Sequence, residues 1–134
     1  MDAMIHAVVN DKIYPLHYSI GVMFDVNEKY GSIQDALEIL EKDNRESFEV
    51  LRFLTVAMAN DAELCRRAEG YDHKPMPFSD EKDISVHMRP VEYLALKLAV
   101  SQAVNIAYKQ EYKGEDEEVD LGLIELQKKE NAGI

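Results

Sequence analysis

The chain has 134 residues, a formal net charge of −11 and a pI near 4.7. That length is one domain's worth, since domains typically run ~100–200 residues, and 46% hydrophobic with 31% charged residues is a folded, globular composition rather than a disordered one. The acidic balance argues against the basic face a nucleic-acid binder needs. No apolar run exceeds five residues, far short of the ~20 that span a bilayer, and Met1-Asp2-Ala3-Met4 lacks the basic start and apolar run of a secretory signal.

In chain order, Met4–Val9 is short and β-branched, Asn10-Asp11 is a turn pair, and Lys12–Leu16 is a second β-type run. The pattern predicts a hairpin over about 4–17, with Pro15 confining the second strand to an edge. Ser19 is the expected N-cap of a first helix that stops at Gly31, with Ile20, Met23, Phe24 and Tyr30 as its apolar stripe and Val26 at the edge. Ser32 with Asp35 has capping-box spacing before Ile33, Ala36, Leu37 and Leu40. Asp43 with Glu46 has the same spacing before a third helix over 45–59. That helix carries Phe48, Leu51, Leu54, Val56 and Met58, widened by Val50, Phe53 and Ala57, so it should be central.

Asn60-Asp61 reads as a break, with a short fourth helix over 62–69 ending at Gly70. Pro75 and Pro77 make 71–80 a loop, which Met76 and Phe78 would pin to the core. Pro90 opens a fifth, long helix to about Tyr112. Leu94, Ala95 and Leu98 lie on one face of it, and Leu96, Ala99, Val100, Ala103, Val104 and Ala107 widen that face. The expected fold is therefore mainly α: one domain over 1–113, with about five helices and an N-terminal hairpin. The remainder, 114–134, reads as an acidic tail. Glu111–Asp120 holds six acids and one lysine, a like-charge block of the kind that stays solvated. The apolar residues Val119, Leu121, Leu123, Ile124 and Leu126 could form a small helix that docks on this domain or on a partner, with Leu121, Ile124 and Leu126 as the expected partner-binding positions. The exposed sides of the first and third helices are the other expected working surfaces.

Chemistry-bearing motifs are sparse. The six glycines, at 21, 31, 70, 114, 122 and 133, form no phosphate-binding pattern. No histidine pair among His6, His17, His73 and His87 has zinc-ligand spacing. His73 near Asp72, Asp80, Glu81 and Asp83 is the sole acidic-His cluster; it lacks the order of a calcium loop and reads first as a solvated loop. His6 and His17 are expected to face each other across the hairpin. Cys65 cannot form an internal disulfide, which fits a reducing compartment. Arg66 and Arg67 could lower its thiol pKa, yet no motif supplies a second Cys or a base, so it reads as packed or incidental. Ser19, Ser32 and Ser47 read as caps or helix-surface residues. The expectation from the residues is a binding protein, with no catalytic residue, no cofactor and no metal.

The N-terminal third resembles the tail assembly chaperones of long-tailed phages and prophages of Gram-positive hosts. Their pattern is an I-N-G-K-x-Y-x-L hairpin, an S-I-G link and a helix closing on Y-G-S. Here Val9-Asn10-Asp11-Lys12-Ile13-Tyr14-Pro15-Leu16 runs into Ser19-Ile20-Gly21 and then Tyr30-Gly31-Ser32, with Asp11 where the pattern has Gly. The resemblance is residue by residue over 8–37 and extends in order of elements over 4–112. It implies a non-enzymatic protein of the host bacterial cytoplasm, absent from the mature virion. Such a protein binds the tape measure protein and helps recruit tail tube subunits, with no nucleic-acid or membrane partner; a homo-oligomer is compatible with it. Many members are made in two lengths by ribosomal frameshifting, and Lys128-Lys129 is compatible with an adenine slip site. The alternatives are a head–tail connector or completion protein, and a small metal-dependent regulator or enzyme using the 73–83 loop.

Overall fold

The computed structural model describes residues 4–109. It contains two strands, β1 (Ile5–Val9) and β2 (Lys12–Leu16), and four α-helices: α1 (Ile20–Tyr30), α2 (Ile33–Leu40), α3 (Arg45–Ala68) and α4 (Pro90–Tyr108). A 3-10 turn, Glu81–Asp83, lies in the long loop between α3 and α4. The fold is a mainly α-helical single domain with an N-terminal antiparallel hairpin, as expected, but with four helices rather than five. The predicted tail, 114–134, lies outside the described residues.

Asn10 and Asp11 both take positive φ, 54° and 65°, the two-residue turn whose twist matches the flanking strands. Val9 pairs with Lys12, Val8 with Ile13, Ala7 with Tyr14, His6 with Pro15 and Ile5 with Leu16. Strand alternation therefore turns Ala7, Val9 and Leu16 into the core and leaves Val8 and Ile13 as a cross-strand pair on the outer face. The inner face packs against α3 and α4, and the Tyr14 ring meets Phe78 at 4.7 Å.

The caps at the first two helices follow the sequence. Ser19 Oγ accepts from the Gly21 N–H, and Ser32 Oγ accepts from the Asp35 N–H. Gly31 closes α1 with φ 95°, a conformation that suits glycine, and donates to the Asn27 carbonyl. The cap of α3 is shifted by one residue from the expectation. Asn44, not Asp43, accepts from the Ser47 N–H, and Ser47 Oγ accepts from the Asn44 N–H in return. Ser47 is fully buried rather than on the helix surface, and its hydroxyl also donates to the Ile39 carbonyl. Asp43 sits at φ 50°, where its carboxylate receives the Tyr93 hydroxyl and the Lys97 ammonium at 2.7 and 2.8 Å. It thus joins the α2–α3 corner to α4.

The expected break at 60–61 does not occur: α3 is continuous over 24 residues, roughly 36 Å. Asn60 and Asp61 spend their hydrogen-bonding capacity on other elements. Asn60 donates to the Phe78 carbonyl at 2.9 Å and accepts from the Phe78 N–H at 3.0 Å. Asp61 accepts from Ser19 Oγ at 3.0 Å and meets His17 Nδ1 at 2.6 Å. His17 is thereby held against α3, and its backbone N–H donates to the Met58 carbonyl; it does not face His6, whose partner is Pro15. Phe78 is buried and pins the loop, whereas Met76 is exposed.

The core is built on Val50, Leu51, Leu54 and Met58 of α3, closed by Leu40, Ile84, Leu96, Val100 and Val104. Two expected stripes are only partly right. In α1, Val22 and Val26 are buried while Ile20 and Phe24 are exposed. In α4, Leu96, Ala99, Val100, Ala103 and Val104 are buried while Leu94 and Leu98 are exposed. The latter helix is apolar around nearly its whole circumference, so periodicity does not select its buried face. It closes at Tyr108 rather than Tyr112, with Lys109 already extended.

Two substitutions test these points. Asp11→Gly relieves a left-handed backbone conformation and should raise stability by roughly 0.5–1 kcal/mol, read as a higher urea midpoint at unchanged slope. Asn60→Ala strips both hydrogen bonds from the Phe78 backbone and should cost about 1–3 kcal/mol, with faster proteolysis between Gly70 and Pro77. An unchanged midpoint would show that the loop is held by Phe78 burial alone.

Candidate functional site

The most unusual surface belongs to α4. Its 19 residues include only Glu92 and Lys97 as charged side chains, in a chain that is 31% charged. Lys97 is turned to Asp43 and Glu41, and Glu92 accepts from the Arg89 N–H at the helix start. The outward face is left to Val91, Leu94, Ala95 and Leu98. Val91, Leu94 and Leu98 are 60%, 55% and 58% exposed, at the spacing of neighbours on one helical face. The hairpin extends this surface. A groove of about 410 Å³ runs between β1 and the start of α4, with Val8, Met88, Val91 and Ala95 in its lining and Asn10 and His87 among its polar residues. Ile20 and Phe24 form a smaller exposed apolar pair on α1. Unpartnered apolar side chains at this density are of the kind found at contact surfaces.

The 70–83 loop is organised differently from a metal site. Glu63 is almost fully buried on α3 and takes the Arg66 and Arg67 guanidiniums at 2.8 and 3.0 Å and the Lys74 N–H at 2.7 Å. These bonds, the backbone N–H foremost, hold its carboxyl down to about 2. Asp83 is engaged by the Ser79 and Asp80 N–H groups, and Asp80 caps the 3-10 turn. Of the carboxylates grouped with His73 in the sequence, Asp80 and Asp83 are thus committed to the loop's own backbone. Among the described residues, no group of three His, Cys, Asp or Glu side chains converges on a metal-sized position.

Cys65 shows none of the thiol activation that its arginine neighbours could have given. Arg66 and Arg67 both turn to Glu63, and the Cys65 sulfur instead lies 3.8 Å from a Glu69 carboxylate oxygen. Burial first, and the Glu69 and Asp61 charges next, push its pKa up, which reduces the nucleophilic thiolate.

The expected partner positions Leu121, Ile124 and Leu126 lie outside the described residues. Of the expected helix surfaces, α1 does present exposed Ile20 and Phe24, while α3 is mostly core, with Leu64 its exposed large apolar residue. The α4 face was missed. The signal that could have found it is a 19-residue helix with two charges and apolar residues on every side. Among the described residues, no helix is long and apolar enough to cross a membrane. No protein family, curated protein or solved structure matches the chain.

The Glu63 anchor predicts a specific acid sensitivity. A carboxyl whose pKa falls on folding stabilises the fold fully above its ordinary value of 4.5. That contribution disappears as the pH drops toward about 2. The stability difference between the native chain and Glu63→Gln should therefore be largest at neutral pH and shrink between those limits in urea titrations. A difference independent of pH would show that the carboxylate charge is not what holds the loop.

Proposed function

We propose that this chain is a phage tail assembly chaperone: a non-catalytic binder of the tape measure protein that keeps it soluble and helps recruit tail tube subunits. In this reading it works in the cytoplasm of a bacterial host and is absent from the mature virion. The observation that carries the reading is the uncharged, exposed face Val91–Leu94–Leu98 beside the Val8–Ile13 pair. A tape measure protein is long and helical, and its apolar faces aggregate when uncovered; an apolar helix seats on such a surface by helix-in-groove packing.

The magnitudes favour a chaperone over a permanent partner. Completing the burial of three half-exposed aliphatic side chains yields on the order of 3–5 kcal/mol, against association costs of similar size. One copy therefore binds weakly. Many copies along a long client bind by avidity, yet each can be displaced by an arriving tube subunit. The net charge of −11 makes coated clients repel one another. The hairpin supports the same reading in a second way. The turn position at which the family pattern carries Gly is Asp11, with φ 65°, where a glycine is the least strained residue.

The test is co-expression with the very long helical reading frame expected beside this gene. The native chain should keep that client in the soluble fraction and co-purify with it. Leu94→Ser with Leu98→Ser should lower the affinity tenfold or more by the burial arithmetic of about 1–1.5 kcal/mol per side chain, with the fold intact by circular dichroism. Undiminished binding would remove α4 from the contact. Finding the protein in purified virions by mass spectrometry would favour a connector or completion protein instead.

A further inference from the structure

The far end of α4 carries a second groove, and here the occupant is indicated by the chain itself. The groove measures about 320 Å³ and is lined by Met4, Ile5, Leu16, Tyr18, Ile106 and Ala107, among others. Met4 and Ile106 are 40% and 48% exposed. Tyr18, one of its lining residues, pairs with Tyr108, their hydroxyls 3.0 Å apart and their rings at 5.4 Å. The pair fixes the end of α4 against the hairpin exit, so Lys109 leaves the domain within one helical turn of the groove.

The sequence beyond Lys109 has two parts. Residues 110–118 are dominated by acids, and Val119, Leu121, Leu123, Ile124 and Leu126 follow within eight residues. We infer that this apolar segment, through Leu121, Ile124 and Leu126, docks in its own domain's groove between the hairpin exit and the last turns of α4.

Reach selects this groove over the one at the hairpin turn. A span of ten residues has an r.m.s. length of roughly 17 Å, longer where like charges stretch it. The exit groove begins about one turn, ~5 Å, from Lys109, whereas Val91 is roughly 25 Å away along α4. Short tethers give the docked state an effective concentration in the millimolar range, enough for a contact that would be too weak between free molecules. The volume also suits the segment: a cavity of roughly 150 Å³ holds a benzene ring, so this groove takes about two branched aliphatic side chains. Met1–Ala3 offers Met1 alone as a large apolar side chain. The acidic span would bridge from α4 to the groove over solvent, where its charge costs least.

The test uses the full chain with no client, so it stands apart from the chaperone reading and either can fail alone. A nitroxide is attached at Glu125→Cys in a Cys65→Ser background, and methyl NMR is recorded. The methyls of Ile5, Leu16 and Ile106 should lose most of their intensity while those of Val91 and Leu94 keep theirs. Adding Leu121→Asp and Ile124→Asp should restore the lost signals. Full intensity at Ile5, Leu16 and Ile106 before that addition would overturn the proposal. So would broadening that appears equally when the spin-labelled chain and the isotope-enriched chain are different molecules, which would assign the groove to a second copy.

Discussion

Two adjacent polar residues in the middle of the longest helix hold the molecule together. Asn60 brackets the backbone of Phe78 from both sides. Asp61 gathers Ser19 and His17. Through them α3 fixes the long loop, the start of α1 and the exit of the hairpin. None of these pieces stands alone: a two-stranded hairpin is marginal in water, and an 11-residue helix is too short to persist without packing. At the other end of α3, Asp43 plays the same part toward α4. Its carboxyl pKa is lowered by the hydrogen bonds from Lys97 and then Tyr93, while burial and that same carboxylate push Tyr93 up to about 12. The apolar core supplies the bulk of the stabilisation, and these few polar contacts set which element lies where.

The same residues show what was legible in the sequence. Signals that act within three or four residues could be read directly: Ser19 and Ser32 as caps, Gly31 as a stop, Asn10-Asp11 as the hairpin turn, Pro90 as a helix start. Asn60-Asp61 misled for a physical reason. Asn and Asp end helices when their side chains compete for the local backbone. Here those side chains are satisfied by residues 18 and 44 positions away, and nothing local reports it. The one-residue error at Asp43 and Asn44 has the same origin, since Asp43 is committed to α4. Ile20 and Phe24 of α1 and Leu94 and Leu98 of α4 were misplaced because they are as apolar as the residues actually buried. A pattern that measures hydrophobicity cannot rank two apolar sides of one helix.

That failure is informative in itself. A helix packed on one side ordinarily carries charge on the other, and this chain has no shortage of acids. Leaving Val91, Leu94 and Leu98 in water costs solubility, and the apolar surface persists beside a turn, Asn10-Asp11, that is itself strained. Local consistency breaks at functional sites more often than elsewhere. The break here consists of exposed hydrophobics on one helical face, beside the groove between β1 and the start of α4.

The two grooves lie at opposite ends of one helix, and the hairpin borders both. Val8 and Val9 line one, Ile5 and Leu16 the other. Because β1 pairs in register along its whole length with β2, the strands cannot slip to widen one groove without turning Ala7 and Val9 out of the core. The hairpin therefore acts as a rigid divider. If both proposals hold, a client on Val91, Leu94 and Leu98 would not displace a tail on Ile106, and the two contacts could be occupied together. What couples them is charge: the acids of Glu111–Asp120 lie just beyond α4 in the sequence, and a second acidic chain arriving on the same client meets that charge at close range. Under the proposed function, repulsion within a Debye length of ~8 Å at physiological salt would space neighbouring copies along a client instead of letting them stack.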